Sequence, residues 1–202
     1  MANRSKKPRV VSEYQIAFPI PDKKVLKNGM ELYSIKGDES KIIRMDILWA
    51  GGRSTESIKS LARSSMQSLY DGTAKLSSDA MLELFDFYGA SVGHNSRMEV
   101  LTSSLSFLIK DMHDVVPPFL QSIFSCQIDQ DLYDKRQERF AERLKGELVK
   151  NNVIAYRLFT EKLFGESHIY GYNTQPKDYL NLKSKDVRKY LDDHLGTDSN
   201  RV

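Results

Sequence analysis

The chain has 202 residues, 40% hydrophobic and 28% charged, enough apolar material for one sizeable domain with a real core. A formal net charge of +3 is too small and too diffuse to point to nucleic acid, and the early basic residues (Arg4, Lys6, Lys7, Arg9) read as a solvated terminus. A single cysteine, Cys126, excludes an intramolecular disulfide and a cysteine-built metal cage and reads as a small buried side chain, while no stretch looks like a signal-peptide core or a membrane span.

Residues 1–24 read as an N-terminal extension, polar over its first half, and residues 25–202 as one module that is a fragment of a longer chain. "VLKNGMELYSI" (Val25–Ile35) places Asn28-Gly29 between two short β-like runs, a hairpin signal. "IIRMDILW" (Ile42–Trp49) alternates apolar residues with Arg44 and Asp46 and reads as a strand with one covered face, closed by Ala50-Gly51-Gly52. "SLARSSMQSLYDGT" (Ser60–Thr73) reads as a helix that stops at Asp71-Gly72. "SSDAMLELFDFYGA" reads as a second helix, with Ser77 or Ser78 as N-cap and Gly89 as the stop. Its predicted apolar face is Met81, Leu82, Leu84, Phe85 and Tyr88.

Residues 91–109 read as two strands around Arg97–Glu99, with Leu101, Ser103, Leu105, Phe107 and Ile109 on one face. Asp111–Ser125 is helical in pattern with Pro117-Pro118 as an obstacle. Asp129–Lys150 reads as a long charged helix with a solvated face, and Val153–Leu163 as another helix, broken by "FGESHIYGYN". Ser184–His194 reads as an amphipathic helix with Val187, Tyr190 and Leu191 inward and Lys185, Arg188 and Asp192 toward water. Strands come early and helices late, so the expected class is α+β: a mostly antiparallel sheet with helices packed on one face.

Five landmarks in this order ("LKNGMELY", "AGGRSTE", "LARSSMQSLYDGT", "LFDFYGASV" and "EKLFGESHIYG") make the chain resemble the N-terminal module of the M16 metallopeptidases, the insulinase, pitrilysin and processing-peptidase relatives. The resemblance runs from about Val25 almost to the C-terminus and implies the M16/LuxS-like metallohydrolase fold. Active members carry H-x-x-E-H on the helix at this place. Two imidazoles four residues apart share a helix face and grip one zinc ion, and the Glu between them takes a proton from the metal-bound water. A distant Glu on the long charged helix completes the ligands.

On this chain the resemblance puts Arg63 in the first His position, Met66 in the Glu position and Gln67 in the second. Arg143 falls in the distant Glu position; a one-residue slip places Glu142 there. A guanidinium offers no lone pair, a thioether takes no proton from water, and one amide oxygen is a poor ligand alone. The expectation is an inactive member with no catalytic residue, no metal and no cofactor. As the resemblance implies, it would pair with an active zinc-bearing M16 protomer, or self-associate, and help enclose peptide substrate. The alternative is a purely structural scaffold with no peptide contact. No nucleic acid or membrane partner is expected, and a cytoplasmic location is the default in the absence of a visible signal sequence.

Two readings stay open at the residue level. In the family the strand corresponding to Gly93, His94, Asn95 and Ser96 lines the cleft and pairs with substrate backbone; the competing expectation here is a surface turn with a solvated His94. Arg63 and Arg143 either form an internal ion pair, with Glu147, Glu83, Asp86 or Glu142 as candidate acids, or Arg63 reaches solvent along its own stem. The remaining histidines, His113, His168 and His194, share no helical spacing and read as surface or locally bonded. "AGGR" lacks the spacing and the lysine of a phosphate loop.

Overall fold

The computed structural model describes residues 18–37 and 40–196. Residues 1–17 of the predicted extension and the C-terminal tip beyond 196 lie outside them. Asn28-Gly29 does turn a hairpin: β1 (Asp22–Val25) pairs antiparallel with β2 (Glu31–Ser34), and pairing begins at Asp22, ahead of the predicted Val25. Both strands are exposed along their length.

A separate three-stranded antiparallel sheet carries the core. It contains β3 (Ile42–Ala50), β4 (Ser91–Ser96) and β5 (Val100–Leu108), in the order β3-β5-β4. The register aligns Ile43 with Phe107, Met45 with Leu105, Ile47 with Ser103 and Trp49 with Leu101, and sets Val92, His94 and Ser96 opposite Leu105, Ser103 and Leu101. All of these share one face, because side chains alternate across a strand. The opposite face carries Arg44 and Asp46, paired at 2.9 Å, with the Ser104 hydroxyl donating to Asp46 at 2.5 Å.

Helices cover the apolar face: α1 (Leu61–Ser68) and α2 (Ser78–Phe87) against β4, and α3 (Met112–Phe124) against β5. The Ser77 hydroxyl accepts from Ala80 N as the α2 N-cap. Met81 and Phe85 are buried as predicted, but Leu82 is 61% exposed: it lies one residue past Met81 and so rotates off the sheet-facing stripe. Pro117 and Pro118 do not stop α3. Each removes one backbone donor, and the carbonyls left over belong to His113 and Asp114, two exposed residues in the first turn of the helix.

The rest of the chain is helical: α4 (Gln130–Glu147), α5 (Asn151–Phe164), α6 (Pro176–Asn181) and α7 (Ser184–His194). The short α6 was not expected; its sequence signal is the Gln175/Asp178 capping box with Pro176 at the first position. On α4, Tyr133, Arg136, Gln137 and Ala141 are buried, so the charged run is not wholly a solvated face. Helix α7 packs on α1 through Val187, Tyr190 and Leu191, while Arg188 turns back to donate to the Cys126 carbonyl at 2.8 Å instead of facing water. Cys126 is buried, and burial pushes its thiol pKa up. Among the described residues no helix is long and apolar enough to cross a membrane.

Candidate functional site

The helix α1 starts on an unusual cap. Ser60 has φ of 70° and makes no side-chain capping bond. Glu56 does the capping from upstream: its carboxylate accepts from Ala62 N at 2.9 Å and Ser60 N at 3.2 Å, and also from the Tyr172 hydroxyl. Burial pushes the Glu56 carboxyl above the usual carboxylate range against these bonds.

The three α1 positions singled out by sequence have three different surroundings. Met66 is fully buried in the core. Gln67 is half-buried, and its amide Nε2 donates to the His94 carbonyl on β4 at 3.2 Å. Arg63 is exposed: its guanidinium lies 5.0 Å from the Phe140 ring centre on α4 and reaches the Tyr179 hydroxyl at 3.4 Å. Its contact on α4 is therefore Phe140, while Arg143 sits exposed almost a turn further along. Two of the four acids suggested as partners are engaged elsewhere. Glu142 pairs with Lys145 at 2.5 Å and Glu147 with Lys150 at 2.8 Å.

A zinc ion does not fit this set. One position is a permanent cation, one is a thioether sunk in the core, and the third has its amide strapped to a strand. Among the described residues no group of three or more His, Cys, Asp or Glu side chains is arranged to hold a metal ion.

The buried ion pair of this region went unrecognised in the sequence. Arg136 of α4 donates through both terminal nitrogens to Asp71, and through Nη2 to the Ser68 hydroxyl at 2.7 Å. Both side chains of the pair are nearly inaccessible, at 8% and 2% exposed. Asp71 belongs to the "DGT" landmark. Gly72 follows at φ 108°, where a Cβ would lie 2.6 Å from the Leu76 carbonyl oxygen, so the turn needs glycine. The landmark thus ties the end of α1 to α4.

His94 is not in a surface turn. It is 1% exposed, on the covered face of β4. Its Nδ1 is 2.8 Å from the Ser103 hydroxyl, its ring stacks on Phe119, and Tyr70 meets it edge-on. Burial drives its pKa down to about 3.

Gly93, His94, Asn95 and Ser96 do lie on β4, an edge strand of its sheet. The backbone groups of His94 point away from β5, toward the free edge, and both are occupied: His94 N donates to the Tyr70 hydroxyl at 2.9 Å, and His94 O accepts from Gln67. The chain's own α1 end therefore covers the middle of that edge.

On the other side of α1, the 3-10 turn Arg53–Thr55 is bound to the turn between β4 and β5. Arg53 N donates to Arg97 O at 3.0 Å and Ser54 N to Met98 O at 2.8 Å. Gly52 permits this approach: at φ 103°, a Cβ there would sit 2.3 Å from Arg97 O. Gly52→Ala is expected to cost well over about 1 kcal/mol, read as a lowered denaturation midpoint, because both the dihedral and the clash oppose it.

No family-wide sequence model and no curated protein matches the chain. Solved structures do. A protease from Helicobacter pylori superposes with TM-score 0.79 at 16% identity, over 91% of this chain and 45% of its own. A protein described as the inactive domain of an M16 peptidase, from Pseudomonas fluorescens, gives 0.78 at 14% identity, over 84% of this chain and 42% of its own. The chain has the M16 peptidase fold. It spans less than half the length of either structure, so what those whole proteins do is not carried over with the fold.

Proposed function

We propose that this M16-fold module is non-catalytic and that it pairs with a zinc-bearing M16 protomer, helping to enclose that partner's peptide. One observation carries the non-catalytic part: Arg63, Met66 and Gln67 stand where the resemblance puts both imidazoles and the base, and each side chain is committed to another task. The likeness to a protein described as an inactive M16 domain supports the same reading.

The test is turnover of a quenched fluorescent peptide. The full chain alone gives no cleavage, and added to an intact H-x-x-E-H peptidase from the same organism it co-purifies and raises turnover. Cleavage by this chain alone, abolished by a chelator, contradicts the proposal.

A second reading, a scaffold without peptide contact, is favoured by the Gln67 and Tyr70 bonds that cover the β4 edge at His94. Ser96→Pro separates the two. Position 96 shares the outward parity of His94, so proline there removes an edge donor and leaves the β5 ladder in place. Weakened peptide binding by the pair supports enclosure; unchanged binding supports the scaffold.

A further inference from the structure

A cleft of about 410 Å³ opens between α1, the Arg53 turn, the β4–β5 turn, the loop before α6 and α6 itself. Three arginines from three separate elements line it: Arg53 from the 3-10 turn, Arg63 from α1 and Arg97 from the β4–β5 turn. Among the described residues none of the three forms a salt bridge. The one carboxylate in the lining, Glu56, accepts two α1 backbone amides and the Tyr172 hydroxyl, and its charge acts on Arg53, so three arginines face a single acid.

Two of the arginine side chains are held in place. Arg53 donates to the Tyr172 carbonyl, and its guanidinium carbon lies 3.7 Å from the centre of the Tyr172 ring. Its Nε is buried with no protein partner. Arg63 is steadied by Phe140 and Tyr179, and the backbone of Arg97 is tied to that of Arg53. Three cations against one carboxylate leave the cleft with an excess of positive charge that an anion would offset. A planar guanidinium fork matches the two oxygens of a carboxylate or phosphate, and the volume is that of a small-molecule site.

We infer that this cleft binds a small ligand carrying two or more oxyanion charges, phosphate or carboxylate, gripped by Arg53, Arg63 and Arg97. The inference does not depend on the peptidase-partner reading, since it concerns binding by this chain alone.

Isothermal titration of the full chain at low salt, with inorganic pyrophosphate and with citrate as separate probes, tests it. The expected result is one bound anion per chain for at least one probe, and the probe that binds identifies phosphate or carboxylate as the preferred chemistry. Arg97 is exposed and enters the fold only through its backbone, so Arg97→Ala keeps the fold and weakens binding about tenfold or more. Arg97→Lys keeps the charge, loses the fork and falls between. Arg139→Ala removes the same charge from the exposed surface of α4, outside this cleft, and leaves affinity within about twofold. Failure of both probes to bind overturns the inference, as does an Arg139→Ala loss equal to that of Arg97→Ala, which marks a diffuse positive field.

Discussion

Asp71→Ala is expected to destabilise the folded chain by about 3–5 kcal/mol. The loss is large because the partner stays behind. Arg136 is buried, and without Asp71 its terminal nitrogens keep only the Ser68 hydroxyl. The residual cation, not the missing contact, sets the cost. Changing both members together, Asp71→Leu with Arg136→Met, removes the stranded charge and recovers most of the loss. Glu142→Ala, which breaks the exposed pair with Lys145, leaves the denaturation midpoint where it was. Equilibrium denaturation of the four proteins checks the set. A double variant no better than Asp71→Ala would contradict the account of a buried pair.

The second large effect is acid sensitivity through His94. In the unfolded chain this imidazole titrates near 6.5, whereas burial holds it down to about 3 in the fold. Below pH 6.5 the unfolded chain gains a proton that the folded chain refuses, so stability is complete above that pH and drains away as pH falls toward 3. From pH 7 to 4.5 the loss amounts to about 2–3 kcal/mol. The geometry supplies the reason: Nδ1 is satisfied by Ser103, Nε2 is buried without a partner, and Phe119 and Tyr70 close over the ring. His94→Gln removes the titration, so its stability falls less steeply over this range. Parallel pH profiles for the two proteins would mean that His94 takes up its proton in the folded state.

The parts of this fold that sequence reveals are those governed by local periodicity. Ile43, Met45, Ile47 and Trp49 alternate with Arg44, Asp46 and the exposed Leu48 and do line one face of β3. Asn28-Gly29 turns the hairpin, and Gly89, at φ 60°, ends α2. His94 was within reach of the same rule. It shares the parity of Val92, and two residues on from an inward position is again inward. Its polarity hid it, because a buried imidazole is recognised only by its partner, and Ser103 lies on another strand. Arg136 failed for a similar reason: it falls on the Tyr133–Gln137–Ala141 stripe of α4, but a cation on such a stripe reads as solvated until Asp71 is brought to it by the fold.

The α1 positions Arg63, Met66 and Gln67 are legible as a set, since the resemblance to the M16 helix places them. What they do instead is not. The Gln67 bond to β4 and the Arg63 stack on Phe140 both cross between elements far apart in the chain. The arginine cleft is wholly non-local. "AGGR" lacks the spacing and the lysine of a phosphate loop, yet its arginine helps form the cleft, and Gly52 lets that arginine's backbone meet Arg97.

The proposed non-catalytic role requires that the α1 face bearing Arg63 and Gln67 serve structural bonding and hold no metal ion. Metal analysis of the purified full chain, after equilibration with excess zinc and removal of the unbound ion, tests it most directly. The account predicts zinc far below one equivalent per chain, unchanged by Gln67→Ala. Zinc near one equivalent, lost in Gln67→Ala, would contradict it.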